Sequence, residues 1–317
     1  MEFNKTMVEE QIYMQLPEEQ VEIFKDVSLQ RVLGATAHIK LIGKMITGIA
    51  DDKDVKDKKA LIELLADYFI NTRGKASVAI ANAIKKMLDF TAENEPYESA
   101  VKTSVSEYFQ KSQKIMIRYS LIQKPVREHE NGNAFDYSST VGDAFLNRLK
   151  LNYIIPESRI PDGGRPYIKQ LYATGSSIKV IPDSAIYHYL KECDAAFIGA
   201  ETFYPDGTVF NTTGAEMTAI LCKMLGKGFY VLTPLIKLDG RSLYGFDKKP
   251  VDDDMRKKFA LEDYPEVDCV CPELIPVKPE YVTAYVTEIG IIPLCALQLC
   301  EGLSKGVRQC ENILISP

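Results

Sequence analysis

One acidic residue, Glu201, stands where it could do chemistry. The apolar run Ala195–Ile198 predicts a buried strand, and Gly199-Ala200 then leads directly into Glu201. Open α/β sheets bind ligands beyond the carboxyl ends of their strands. A carboxylate at such a position could exchange a proton in general acid-base catalysis or bind a ligand hydroxyl. The alternative is that Glu201 only caps a neighbouring loop.

Hydroxyl and guanidinium groups in the same half of the chain could bind a phosphate. Ser138 and Ser139 stand where a predicted strand gives way to a helix, and free N–H groups at a helix start bind anions. One of these serines could equally serve only as the helix cap. Arg159 and Arg165, near Gly163-Gly164, could clamp a phosphate through paired hydrogen bonds, or could simply be solvated on their loops.

The elements that position these residues follow a strand-helix-strand order. Short apolar runs predict strands at Asn152–Ile155, Ser177–Ile181, Ala195–Ile198 and Phe229–Leu232. Helical patterns lie between them, near Pro166–Ala173, Ser184–Lys191 and Gly214–Leu225. This order predicts right-handed crossovers and a mainly parallel, Rossmann-like sheet with helices on both faces.

The N-terminal part of the chain has a different pattern. From about Pro17 to Phe109, apolar residues recur at helical spacing, and a further helix is predicted near Ala100 to Ser120. The polar segment Pro125–Asn133 contains Pro and Gly and is typical of an exposed linker. We therefore predict an α/β protein with a helical N-terminal domain at residues 1–127 and a Rossmann-like ligand-binding domain at 128–317.

Composition narrows the functional classes. The chain has 317 residues, enough for two cores, and its net charge of −6 argues against direct binding to nucleic acid. No apolar run is long enough to cross a membrane, and the start of the chain lacks the pattern of a signal peptide. We expect a cytoplasmic protein without membrane partners, and with its seven cysteines reduced. The Cys269-Val270-Cys271 pair lacks further ligands at zinc spacing, so we expect neither a metal nor a cofactor.

Taken in order, these segments resemble the translation initiation factor 2B α/β/δ subunit family, which includes methylthioribose-1-phosphate isomerase and ribose-1,5-bisphosphate isomerase. The resemblance covers nearly the whole chain and lies in the set of motifs rather than in any one of them. In the helical half, Gly34-Ala35 and Thr72–Ala76, which contains Arg73, resemble the family's Arg-Gly-Ala and Arg-Pro-Thr-Ala segments. The matching segments of the α/β half are Tyr137–Val141, Glu157–Arg159, Ile181–Ala185, Gly199–Glu201, Tyr230–Pro234 with Lys237, Tyr281–Thr283 and Thr287–Gly290.

Several positions depart from the isomerases of that family. The resemblance implies that Asp136 stands where they have a catalytic cysteine, and that Glu201 replaces their aspartate. Their Asn-Lys pair is Asn211-Thr212 in this chain, and the arginine before their Gly-Ala is Leu33. Two phosphate-binding cations and the catalytic thiol are therefore missing from the pattern.

Three functions remain open at this point. The first is a regulatory or assembly-related protein that binds a phosphorylated sugar or a nucleotide. The second is an aldose-ketose isomerase of a pentose phosphate, in which Asp136 and Glu201 exchange the proton. The third is a purely structural subunit, with the pocket filled by side chains such as Phe135, Tyr137 and Phe203.

We expect the site residues to meet in one cleft. Each lies just after a proposed strand or on the turn that follows, and a parallel sheet places such turns at one edge. The expected set is Asp136, Glu201, Ser138, Ser139, Arg159, Asn211 and Lys237, with Gly34, Ala35 and Arg73 approaching from the helical domain. The apolar stretch Val286–Leu299 further predicts a homodimer through the α/β domain.

Overall fold

The chain divides into two compact units, residues 1–115 and 116–317, in a computed structural model. The structure describes residues 5–32, 34–91, 95–121, 131–135, 138, 140–142, 152–160, 162–294 and 297, with the backbone alone for 113–121. The predicted domain boundary at 127/128 lies outside these residues and stays a prediction.

The N-terminal unit is helical, as predicted. Its helices are α1 (Lys5–Gln15), α2 (Glu18–Ser28), α3 (Ala35–Asp51), α4 (Lys58–Asn71), α5 (Arg73–Ala76), α6 (Val78–Met87) and α7 (Tyr97–Leu121). Their apolar residues recur on one face, as with Ile39, Ile42, Ile46 and Ile49 of α3, all of them buried. Helix α4 begins where the Asp57 side chain accepts a hydrogen bond from the Ala60 N–H at 2.9 Å.

The core of this helical unit is rich in aromatic side chains. Phe24 of α2 packs on Tyr68 and Phe69 of α4, with ring centroids 5.1 and 5.3 Å away. All three side chains are fully buried. Aromatic pairs at such distances add about 0.5–1.5 kcal/mol each beyond the burial of their area. This contact therefore fixes α2 against α4.

The second unit is built on a seven-stranded sheet. Its strands, in spatial order, are β12 (Gly290–Ile292), β11 (Ala284–Thr287), β7 (Gly228–Leu232), β4 (Ala195–Ile198), β1 (Asn131–Ala134), β2 (Asn152–Pro156) and β3 (Ser177–Ile181). Neighbours pair in parallel except β11 with β12, which are antiparallel. From β1 the chain builds outward through β2 and β3, then returns to place β4 on the other side of β1. The sheet is therefore doubly wound, with its switch point between β1 and β4.

Helices cover both faces of this sheet. Helix α8 (Arg165–Tyr172) packs Tyr167 and Leu171 into a core with Tyr153 and Phe197. On the opposite face, α9 (Ile186–Leu190) and α10 (Ala215–Met224) enclose a second core. The predicted Rossmann-like architecture is confirmed.

The sequence prediction was wrong about residues 131–133. Asn131-Gly132-Asn133 was expected at the end of an exposed linker, yet these residues lie in β1, at the centre of the sheet. Gly132 and Asn133 are buried. A strand that is covered on both faces usually has an apolar sequence. The composition of Asn-Gly-Asn therefore suggests a loop, although these residues form a central strand. The remaining linker residues, 125–130, lie outside the described part.

Two smaller sheets were not predicted. One is antiparallel and consists of β5 (Thr202–Phe203), β6 (Val209–Thr212) and β10 (Leu274–Val277). The other is a ribbon of β8 (Asp252–Asp254) with β9 (Val270–Pro272), and helix α11 (Arg256–Phe259) follows β8. The β5–β6 hairpin continues directly from the end of β4, so it stands at the carboxyl edge of the main sheet.

Cys193, Cys222, Cys269 and Cys271 are free in the described part of the chain, and two of them are inert. Cys193 and Cys222 are fully buried in the core beneath α9 and α10. Burial raises the pKa of each thiol to about 12, so the reactive thiolate form is scarce at neutral pH.

Replacing Gly214 by alanine should destabilise the α/β unit. Gly214 precedes α10 with a φ of 109°, and a Cβ there would lie 2.3 Å from the Phe135 ring. We expect a loss of about 2 to 4 kcal/mol from backbone strain and overpacking. A urea titration monitored by circular dichroism measures it.

The matched control is Gly175→Ala, where φ is 71° and no atom lies within 4 Å of the added Cβ. This variant should lose only about 1 kcal/mol. Equal losses in both variants would show that the contact with Phe135 does not matter.

Candidate functional site

The candidate site lies at the switch point, where the residues after β1 and β4 meet. Ser138 follows β1, and Gly199-Ala200-Glu201 follows β4. A Cβ on Gly199 would lie 2.4 Å from both Cβ and Oγ of Ser138. Only glycine therefore allows the turn after β4 to approach the turn after β1 this closely.

Ser138 caps a helix start. Its Oγ accepts a hydrogen bond from the Val141 N–H at 3.4 Å, and its carbonyl accepts one from the Gly142 N–H at 2.8 Å. Residues 140–142 are helical, and the Ser138 N–H donates to Tyr167 Oη at 3.0 Å. Of the two roles considered for this serine, the structure therefore contains the capping role. Ser139 lies outside the described residues.

The turn after β4 is held by two side chains from other elements. The Asn211 amide donates to the Gly199 carbonyl at 3.1 Å, and the Lys237 ammonium donates to the Ala200 carbonyl at 2.5 Å. Asn211 is buried, and within the described residues its Oδ1 has no hydrogen-bond partner. Contrary to expectation, Asn211 lies inside strand β6 rather than on a turn after a main-sheet strand, because the chain forms the β5–β6 hairpin there.

Glu201 directly follows Gly199 and Ala200 in the chain and is half-buried. Its N–H donates to the Phe210 carbonyl at 2.9 Å, which joins it to β6. The predicted acidic residue therefore lies at the carboxyl end of β4. Its expected partner, Asp136, and Tyr137 lie outside the described residues. Phe135 and Phe203 are fully buried in the core between the sheet and α10.

Lys237 is positioned by residues that sequence reasoning did not assign to the site. It ends a 3₁₀ helix, Leu235–Lys237, and the buried Glu288 carboxylate accepts the Leu235 N–H at 2.9 Å. The Thr202 hydroxyl donates to the Lys237 carbonyl at 3.0 Å. The only signal in the sequence was that Glu288 lies in the turn Thr287–Gly290, one of the segments that carry the family resemblance.

Arg159 belongs to a neighbouring group of contacts. The Asp183 carboxylate accepts the Ser158 and Arg159 N–H groups at 2.9 and 2.7 Å, which joins the loops after β2 and β3. The Arg159 side chain is exposed and donates to the Lys258 carbonyl at 3.3 Å. Since β1 lies between β2 and β4, this loop starts about 10 Å from the end of β4. The convergence of Arg159 with Glu201 stays a prediction.

The candidates of the helical unit lie at helix starts. Gly34 precedes α3 with a φ of 95°, and Ala35 is the first residue of that helix. Arg73 begins α5. The buried His38 ring lies 2.6 Å from the Val32 carbonyl, and burial lowers the pKa of His38, with a smaller contribution from the Arg73 charge.

The site thus has a compact centre. We use the term switch-point cluster for Ser138, Gly199, Ala200, Glu201, Asn211 and Lys237, which are joined by the contacts given above. It combines a carboxylate, an amide, a hydroxyl and an ammonium group, which suits a polyhydroxylated anionic ligand. Within the described residues, no group of acidic, histidine or cysteine side chains could hold a metal ion, and no helix is long and apolar enough to span a membrane.

The doubly wound sheet and its polar switch-point cluster define a Rossmann-like α/β protein with a helical N-terminal unit. The chain belongs to the initiation factor 2 subunit family, whose profile matches residues 34–294. The resemblance predicted from the motifs is confirmed.

Known proteins similar to this chain include enzymes and an initiation factor. Over 286 residues it is 24% identical to the ribose 1,5-bisphosphate isomerase of Archaeoglobus fulgidus. This alignment covers 87% of this chain and 90% of that protein. Its fold is similar to the translation initiation factor eIF-2B of Pyrococcus horikoshii OT3, with a TM-score of 0.72, 20% identity, and 88% and 98% of the two chains covered. It is also similar to the 5-methylthioribose 1-phosphate isomerase of that organism, with a TM-score of 0.70, 18% identity, and 90% and 88% covered.

Removal of the Asp183 carboxylate should loosen the loop that carries Arg159. In Asp183→Ala the buried Ser158 N–H loses its acceptor, which costs about 1 to 3 kcal/mol. Asp183→Asn keeps one acceptor oxygen and should lose less. The free energy of unfolding of both variants in urea measures this, and a neutral Asp183→Ala would contradict it.

Proposed function

We propose that this protein binds a phosphorylated pentose at the switch-point cluster and uses that ligand in regulation or assembly. The observation that carries the proposal is the convergence of Asn211 and Lys237 on the Gly199 and Ala200 carbonyls, directly before Glu201. A lysine ammonium can bind a phosphate, and amide and carboxylate oxygens can accept hydrogen bonds from sugar hydroxyls.

The residues divide these roles between them. Lys237 contributes the positive charge that attracts the phosphate. The amide nitrogen of Asn211 donates a hydrogen bond to the Gly199 carbonyl, so its Oδ1 is the atom that accepts a hydrogen bond from a ligand hydroxyl. Glu201 binds a second hydroxyl. The expected homodimer through the α/β domain belongs to the same proposal, as does Arg159 as a second phosphate contact.

The regulatory role rests on the departures from the isomerase pattern. Asp136 stands where the resemblance implies a catalytic cysteine, so the thiol of those isomerases is replaced by a carboxyl group. The missing cations at Leu33 and Thr212 further change the phosphate contacts. Binding without turnover follows from these differences, and a nucleoside monophosphate offers the same ribose and phosphate groups.

A second candidate function is aldose-ketose isomerisation of a pentose phosphate. The half-buried Glu201 at the carboxyl end of β4 favours it, together with the 24% identity to a ribose 1,5-bisphosphate isomerase. In this reaction the bond between C1 and the ring oxygen of ribose 1,5-bisphosphate breaks, and the ring oxygen takes the proton of the C2 hydroxyl to become the C4 hydroxyl. The C2 proton is transferred to C1, and C2 becomes the carbonyl carbon. Glu201 takes the proton, and Asp136 acts on the oxygen atoms.

Binding is tested by thermal shift of the full chain with ribose 1,5-bisphosphate, ribose 5-phosphate and AMP, with ribose as the uncharged control. At a free concentration of about 100 times Kd, a bound ligand should raise the Tm of the α/β unit by about 5 to 10 °C. Lys237→Met should weaken binding about tenfold to a hundredfold, because a charge-assisted hydrogen bond is lost.

The matched control for this variant is Lys227→Met. Lys227 lies at the other end of β7 and also donates to a backbone carbonyl, that of Lys191 at 3.4 Å. It should leave binding unchanged. If no phosphorylated compound raises the Tm of the wild type, the proposed function is wrong.

Turnover is tested by proton NMR of ribose 1,5-bisphosphate in D₂O, where isomerisation exchanges the C2 proton. A regulatory protein gives binding without exchange. If the wild type does turn over, Glu201→Gln should lower the rate by about 10²- to 10⁴-fold and keep Kd within about tenfold, since the amide retains shape but cannot accept the proton. An unchanged rate in Glu201→Gln would remove this residue from the chemistry.

A further inference from the structure

Two cysteines lie close together on the ribbon of β8 and β9, outside the switch-point cluster. Cys271 is paired with Asp253 in this ribbon, and the Cys269 carbonyl accepts the Met255 N–H at 2.8 Å, so the pairing continues as far as Cys269. Successive side chains of a strand point to opposite faces, so residues two apart share one face. The two thiols therefore lie on the same side of the ribbon, with the exposed Val270 on the other side.

Both thiols can be reached from solvent. Cys269 and Cys271 are free and only partly buried, whereas Cys193 and Cys222 are sealed in the core. The Cys271 thiol donates a long hydrogen bond to the Pro272 carbonyl at 3.6 Å. The residues of β8 are exposed as well, so the ribbon lies at the surface. An accessible thiol beside a second one can be oxidised reversibly, because the second thiol converts the first oxidation product to a disulfide.

A disulfide between these two cysteines bends β9. Residues two apart in a strand have Cα atoms about 6.6–6.8 Å apart, which is at the upper limit of what a disulfide spans. Most disulfides hold the Cα atoms at about 5.5–6 Å, so this part of the strand shortens by roughly 1 Å when the bond forms. The ribbon can follow this change, because two paired strands alone are only marginally stable. A strained and exposed disulfide is also easily reduced.

The end of β9 is attached to the strand that contains Asn211. The Pro272 carbonyl accepts the Thr213 hydroxyl, and the Glu273 carbonyl accepts the Thr213 N–H at 2.8 Å. Thr213 directly follows β6, from which the Asn211 amide donates to the Gly199 carbonyl of the switch-point cluster. A change in β9 therefore reaches β6 within two residues of Asn211.

We propose that Cys269 and Cys271 form a redox site, in which a hydroperoxide converts the two thiols to a disulfide that loosens the attachment of β9 to Thr213. Because this attachment helps to position Asn211, oxidation lowers the affinity of the switch-point cluster for its ligand. That last step rests on the proposed function, whereas the disulfide and its effect on β6 do not.

The oxidation balances with hydrogen peroxide. One thiolate attacks a peroxide oxygen, the O–O bond breaks, and a sulfenic acid forms while hydroxide leaves and takes up a proton. The second thiol attacks the sulfenic sulfur, the S–S bond forms, and the sulfenic oxygen leaves as water. The two thiols lose two protons and two electrons in total, and the peroxide becomes two molecules of water. Two equivalents of glutathione reverse the change by thiol–disulfide exchange and are themselves joined as a disulfide.

Peptide mapping of the full chain locates the disulfide. The wild type is treated with hydrogen peroxide under native conditions, its remaining thiols are alkylated in urea, and it is cleaved after glutamate. The peptide Val267–Glu273 contains Cys269, Cys271 and no other cysteine. We expect this peptide to lose two hydrogens and to escape alkylation, and to accept two alkyl groups again after treatment with glutathione.

Hydrogen exchange and ligand titration measure the effect of the disulfide. In the oxidised wild type, the amides of Val209–Thr213 should exchange about threefold to tenfold faster than in the reduced protein, because the Thr213 N–H no longer has a fixed acceptor. The Kd for ribose 1,5-bisphosphate should rise about threefold to tenfold in the same samples.

The matched control is the double variant Cys269→Ser with Cys271→Ser, which keeps the size of both side chains and cannot form the bond. It should have the exchange rates and the affinity of the reduced wild type, both before and after peroxide treatment. A change that also occurs in this variant comes from other residues and contradicts the redox site.

The outcomes separate the two proposals. If peroxide leaves Val267–Glu273 as the dithiol, or if the disulfide forms and the exchange of Val209–Thr213 stays the same, the redox site is wrong while the proposed function stands. Faster exchange with an unchanged Kd contradicts the coupling to the ligand. If the reduced wild type does not bind the sugar phosphate, the proposed function is wrong, and the mapping and exchange results still decide the redox site.

Discussion

Two backbone carbonyls at the end of β4 determine the arrangement of the site. Those of Gly199 and Ala200 accept hydrogen bonds from the Asn211 amide and the Lys237 ammonium, which come from strand β6 and from the 3₁₀ helix after β7. A hydrogen bond to a charged group contributes about 1.5–3 kcal/mol, and more is lost when a buried partner is left alone. The β5–β6 hairpin, the end of β7 and the turn after β4 are thereby joined before any ligand arrives. Such preorganisation lowers the entropy that binding costs.

The sequence predicted those strands that can be recognised from their own residues alone. Apolar runs identified β2, β4 and β7, since a strand buried on both faces needs a continuous apolar sequence. The edge strand β3, which is largely exposed, was identified by Ile178, Val180 and Ile181. The same rule fails for β1, whose Asn131–Ala134 has no large apolar side chain. Its place is set by its neighbours, because Phe197 of β4 packs against Gly132 and the strand is paired on both sides. Within the described residues both polar atoms of the Asn133 side chain lack a partner, a cost that no sequence pattern announces.

The site residues also include some that the sequence could place and others that it could not. Glu201 and Lys237 follow strands of the parallel sheet, so topology alone placed them at one edge. Asn211 reaches that edge by another route, through an antiparallel hairpin whose partner β10 lies more than sixty residues further along the chain. Glu288 is likewise brought in by a contact between distant segments, which spacing along the sequence does not encode. For Ser138, topology predicted the location, while the choice between ligand and cap depended on the distance to the Val141 N–H.

The buried thiols of Cys193 and Cys222 bear on how this half of the protein behaves toward oxidants. Both side chains are sealed beneath α9 and α10, and their raised pKa keeps them in the protonated, weakly nucleophilic form. Peroxide and electrophiles react with thiolates that they can reach, so these two sulfurs are protected twice, by access and by protonation. If a thiol reagent alkylates either sulfur, the α/β core must have opened to expose it.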